Sequence, residues 1–110
     1  MAWEVKYIKE AQDDLDRLDN SAKIQVLKAI KKVSQNPLPH PDGYGKPLGN
    51  HKTSKLSGYL KIKLVQLGYR VVYDIIKDGN IMRVIIISIR DDSTVYKEAE
   101  RRLKTNSEMQ

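Results

Sequence analysis

Two segments in the second half of the chain, RVVYDII at residues 70–76 and IMRVIIISI at 81–89, are apolar on both alternations. Successive side chains of a β-strand point to opposite faces, so a strand with one wet face alternates apolar with polar residues. These two do not. They read as neighbouring central strands of a sheet covered, at least in part, on both sides. The KDGN turn at 77–80 joins them, with Asp78-Gly79 suited to positive φ.

The remaining elements follow from periodicity and capping. Trp3, Val5 and Tyr7 alternate with Glu4 and Lys6 and predict a short half-buried strand over residues 2–8. Ala11, Leu15 and Leu18 recur at helical spacing amid charge. Asp19, Asn20 and Ser21 offer caps for a second helix carrying Ile24, Leu27, Ile30 and Val33, which Asn36-Pro37 ends. Residues 37–53, rich in Pro and Gly and without a period, predict a long surface loop. A further strand is expected over about 59–66, turned back at Gly68. Asp92 or Ser93 caps a last helix with Val95, Ala99 and Leu103, and the final TNSEMQ reads as a flexible tail. The order is β-α-α-β-β-β-α. We expect an α+β fold: a small antiparallel sheet, an N-terminal helical hairpin on one face and a C-terminal helix, with one domain over residues 1–104.

A chain of 110 residues suits a single core. It has no cysteine, no apolar run long enough to span a membrane, and no signal-like N-terminus, which suggests a cytoplasmic protein. Its net charge is +6. Residues 1–54 hold nine Lys/Arg against seven Asp/Glu, and residues 55–110 hold eleven against seven. The excess leans towards the strands, and a polyanion is the natural partner class.

The strand LKIKL at 60–64 concentrates this charge, with Leu60, Ile62 and Leu64 on one face and Lys61 and Lys63 on the other. A two-residue hairpin at Gly68 pairs positions whose numbers sum to an odd value. Lys61 and Lys63 would then share a face with Arg70, Val72 and Asp74. A three-residue turn would instead put them beside Tyr69 and Tyr73. In the first register three cations meet with only Asp74 nearby to neutralise them. Like charges opposite one another destabilise a sheet, so a face selected for folding alone would tend to mix signs. The alternative is a hydrated face with a Lys–Asp74 pair.

KLSGYLKIKLVQLGYRVVYDI (55–75) followed by IISIRDDSTVYKEAERRL (86–103) resembles the RelE-type toxins of the RelE/ParE toxin–antitoxin superfamily. The ordered set Lys-x-Lys, Tyr-Arg and Arg-x5-Tyr is what carries the resemblance, densest from Leu56 to Leu103. The resemblance implies a metal-free, ribosome-dependent endoribonuclease that cuts mRNA in the ribosomal A site. It places the functional residues at Lys61, Lys63, Arg70, Arg90 and Tyr96. It also implies an acidic RelB-like antitoxin, displacing or covering the C-terminal helix, and a toxin–antitoxin hetero-oligomer. Two other readings stay open: a ParE-type DNA gyrase inhibitor, and an inactive relic that only grips RNA or a partner. Where the family often carries basic residues beside the last-strand arginine, this chain has Asp91 and Asp92.

RNA brings its own nucleophile, the 2′-OH. Cleavage then needs a base, charge on the phosphorane and a proton for the leaving 5′-oxygen. No histidine is expected near the site: His40 and His51 fall in the loop and read as bystanders. A lysine serves as base only when neighbouring cations or burial lower its pKa from about 10.4, which is what a three-cation patch supplies. Arg70 would stabilise the transition state with its planar fork. Arg90 would hold the scissile phosphate or assist the leaving group, and Tyr96 would stack a splayed base. Lys46, Lys52 and Lys55 are candidate RNA-backbone contacts.

Overall fold

A computed structural model describes residues 2–47 and 58–109. The elements are β1 (Glu4–Tyr7), α1 (Lys9–Asp16), α2 (Asn20–Val33), β2 (Lys46–Pro47), β3 (Leu60–Leu64), β4 (Tyr69–Ile76), β5 (Ile81–Ser88) and α3 (Asp92–Met109). They form one five-stranded sheet in the order β1-β5-β4-β3-β2. The expected α+β architecture and order are present, with β2 added from within the loop.

The sheet is mixed rather than wholly antiparallel, because β1 runs parallel to β5, pairing Glu4 with Ile81 through Tyr7 with Val84. Every other pairing is antiparallel. A parallel neighbour needs a crossover, and the chain between β1 and β5 supplies it. Periodicity marks the strand but carries no pairing direction.

The burial of β4 and β5 bears out the reading from their composition. Val71, Val72 and Tyr73 are all buried, as are Val84 to Ile87, and consecutive strand residues can all be buried only if both faces are covered. The Tyr73 face looks towards the end of α2, where the Tyr73 hydroxyl donates to the Pro37 carbonyl at 2.7 Å. Val72 and Ile86, directly opposed, lie on the other face, and α3 packs on β5 there with Val95 and Ala99 buried. Tyr73→Phe should lower the unfolding free energy by about 1–3 kcal/mol, because the Pro37 carbonyl would stay buried without its donor. Urea titration at unchanged m measures it.

The helix α2 differs from expectation in part of the stripe it buries, while α1 and α3 bury Ala11 and Leu15, and Val95 and Ala99, as expected. On α2 the buried residues are Ala22, Val26, Ile30 and Val33, whereas Ile24 and Leu27 face solvent. Both stripes recur at three- and four-residue spacing, and contact with β3 selects the first. Asp19 caps α2, accepting from the Ala22 amide at 2.8 Å. Asp91 caps α3, one residue earlier than expected, accepting from the Thr94 amide at 2.8 Å. The helix also continues through residues 105–109, read from composition as tail.

One ionic cluster fastens α3 to the rest of the chain. Beyond Val84 the outer edge of β5 is no longer paired to β1, and α1 closes it: the Ile87 amide donates to Asp14 at 3.1 Å. Arg102 of α3 donates to the same carboxylate at 2.7 Å and to the Ile85 carbonyl at 2.9 Å. It also donates to Glu98 at 2.8 Å. Arg101 beside Glu98, with Arg102 adding to it, holds the Glu98 carboxyl down at about 2 against an ordinary 4.5. A depressed carboxylate stabilises the fold above its unfolded value and loses that contribution as pH falls. Between about pH 4.5 and 2 the wild type should therefore lose stability that Glu98→Gln never had. Thermal melts of both proteins across that window test it.

Candidate nucleic-acid interface

The turn at Gly68 fixes the face of the lysines. The loop has four residues, Val65 to Gly68, with Gly68 at φ +75° and its amide bonded to the Leu64 carbonyl at 2.8 Å. It preserves the odd-sum register: Lys63 opposes Arg70, and Lys61 opposes Val72. Across the other edge of β3, Lys46 of β2 opposes Lys61. Directly opposed residues share a face, so Lys46, Lys61, Lys63 and Arg70 lie on one side of three adjacent strands.

The acidic residue expected to offset them is committed elsewhere. Asp74 is held by Arg83, opposite it on β5, in a two-pronged contact at 2.9 and 2.6 Å. Among the described residues, Lys63 and Arg90 make no ion pair.

The Arg90 backbone reaches this face through an irregularity in β5. The β4–β5 register shifts between Val72 and Tyr73, so that Ile85 has no opposite number and Arg70 opposes Ser88. Such a bulge re-aims every residue beyond it. Without the extra residue Arg70 would oppose Ile87, and Ser88 would turn to the far side. The Arg70 guanidinium donates to the Arg90 carbonyl at 2.8 Å, and the Arg90 amide donates to the Ser88 hydroxyl at 3.1 Å. Asp91 beside them is a helix cap. Its carboxyl lies below the usual range chiefly because of the Thr94 amide, with the Arg70 charge acting in the same direction.

Tyr96 lies on α3 against Tyr59, two residues before Lys61. The rings meet edge to face with centroids 5.8 Å apart. Both hydroxyls donate to Glu100, Tyr59 at 2.6 Å and Tyr96 at 3.2 Å. Burial first, and then the Glu100 carboxylate, push both phenols up, so they remain protonated donors. The Tyr96 hydroxyl is thus engaged, and its ring is what remains to offer a base. Lys52 and Lys55, the other two candidate backbone contacts, fall outside the described residues, as does His51.

Sequence reasoning missed Tyr59, Arg83 and Glu100. Tyr59 could have been found, since it alternates with Lys61 and Lys63. Arg83 needed the register of the KDGN turn, which pairs Ile76 with Ile81 and so sets Arg83 opposite Asp74.

Comparison with known proteins places the chain in a family. The family model for the ParE toxin of type II toxin–antitoxin systems matches residues 5–96. A RelE-like toxin protein of Escherichia coli is 29% identical over 94% of this chain and 100% of its own. The mRNA interferase toxin RelE of E. coli K12 is 27% identical over 94% of this chain and 99% of its own. A mutant of E. coli RelE in the free state superposes with a TM-score of 0.72 at 26% identity, covering 93% of this chain and 98% of that one. The chain therefore belongs to the ParE toxin family of type II toxin–antitoxin systems. Within that superfamily it is of the RelE type.

Proposed function

We propose that the protein is an endoribonuclease that cuts mRNA on the ribosome, held in check by an antitoxin. The observation that carries this reading is the opposed Lys63–Arg70 pair, with Lys61 and Lys46 on the same face and Arg90 drawn in through its carbonyl. Placing four cations on one pleated face costs stability unless an anion shares it, and a phosphodiester is an anion of the right shape for an arginine fork.

The reaction is a transfer within the RNA. The 2′-oxygen attacks the adjacent phosphorus, its proton passes to Lys61 or Lys63, and the bond to the 5′-oxygen breaks as that oxygen takes up a proton from solvent. Arg70 stabilises the charge that gathers on the non-bridging oxygens. Arg90 holds the scissile phosphate, and Tyr96 stacks a base so that the 2′-oxygen lies in line with the leaving group. The products are a 2′,3′-cyclic phosphate and a 5′-hydroxyl. The lysine base, with no histidine beside it, is a modest catalyst, so alignment by the ribosome supplies the rest. The antitoxin is expected to be acidic and to act on α3, because moving that helix disturbs Tyr96 and the approach to Arg90.

Primer extension on mRNA incubated with the purified protein, with and without translating ribosomes, tests the reading. Cuts in A-site codons only when ribosomes are present support it. Intact mRNA together with gyrase-linked DNA breaks would replace it with the second activity known in this superfamily.

A further inference from the structure

The lysines of this face also line a depression at its edge. It runs along the outer edge of β3, where β2 pairs only with Leu60 and Lys61 and leaves the edge of Ile62 to Leu64 facing no strand among the described residues. The groove measures about 260 Å³. Lys61, Ile62 and Lys63 of β3 line it together with Lys32 of α2, Tyr44 and Lys46. Among the described residues, none that lines it is acidic. Tyr44 is 53% exposed, and the Lys32 ammonium sits 5.6 Å from its ring centroid.

We propose that this groove is a nucleotide subsite for single-stranded RNA. The Tyr44 ring stacks the base of a residue next to the scissile phosphate, and Lys46 and Lys63 take the flanking phosphates. An exposed aromatic set among cations is the arrangement that holds single strands without reading sequence. An acidic peptide would use the lysines but would have little use for the ring. Lys63 belongs to both the groove and the Arg70 face, so one strand can cross the sheet edge from one to the other. The proposal rests on the cleavage reading for its link to a scissile phosphate, although the groove's affinity for RNA can be tested without it.

The probe is a fluorescent hexanucleotide with 2′-O-methyl groups, which lacks the nucleophile and cannot be cut. Its binding to the full chain is followed by anisotropy at several salt concentrations. Tyr44→Ala should weaken binding about tenfold or more. Tyr44→Trp should retain binding and show indole quenching on addition of RNA. Lys46→Ala should weaken binding and lower the salt slope by about one. No measurable binding by the wild type at low salt would overturn the proposal. So would a Tyr44→Ala protein that folds normally and binds as the wild type does, or displacement of the probe by polyglutamate with no dependence on Tyr44. The two readings fail separately: Tyr44-dependent binding without ribosomal cleavage removes the nuclease and keeps the subsite. Cleavage with Tyr44→Ala unchanged in both binding and KM does the reverse.

Discussion

Arg70→Ala should reduce mRNA cleavage by about 10²- to 10³-fold, the scale on which removing one preorganised transition-state donor acts, while the protein melts within a few degrees of the wild type. The fold tolerates the change because Arg70 is only partly buried and its guanidinium bonds to a backbone carbonyl at the solvated end of the sheet. Chemistry should not tolerate it. Arg70 is the fork facing Lys63, and no other arginine lies on β3 or β4. Arg70→Lys separates geometry from charge, since a lysine keeps the charge but not the two parallel donors. Activity restored fully by lysine would show that only charge is needed. Single-turnover cleavage on programmed ribosomes, with circular dichroism melts of the same preparations, measures both quantities. Loss of activity together with loss of fold would remove Arg70 from the chemistry.

The second large effect concerns stability. Arg102→Met keeps an unbranched stem of similar reach and removes the charge. The Arg102 and Asp14 side chains are only 11% and 10% exposed, so the substitution strands a carboxylate where water is scarce and removes the donor to the Ile85 carbonyl. Breaking a pair of this kind by removing one partner costs about 3–5 kcal/mol. For a domain of this size that is a fall in Tm of more than about 10 °C. The loss should begin locally. Amide exchange along α3 should rise before that of β4, because the cluster joins α3 to α1 and to the β5 edge. A variant that melts like the wild type would show that water or another group satisfies Asp14 unaided.

Much of this was legible from the chain because pleat parity is strict. Once Lys61 and Lys63 lie in a strand they share a face, and the only open question was the register at Gly68. A four-residue loop answered it in the same sense as the two-residue hairpin would have. The pairing of Asp74 was not legible: it depends on the parity of the turn at 77–80, which pairs Ile76 with Ile81 and which composition leaves open. The stripe of α2 was misread because Ile24 and Leu27 are larger and more apolar than Ala22, although tertiary contact favours the flatter side. Tyr44 gave no signal at all. A tyrosine in a Pro/Gly-rich loop is unremarkable until Lys32 and the β3 edge come up beside it.

The unmatched residue at Ile85 has a wider consequence. Which way the end of β5 points is set by a count of residues and by no single side chain. Removing one residue there would leave every arginine and lysine of the chain in place, yet it would turn Ser88 away from Arg70 and expose the neighbouring isoleucine in its stead. The spacing of this strand therefore shapes the cationic face as much as the cations themselves do, and a comparison that scores only residue types would miss its loss.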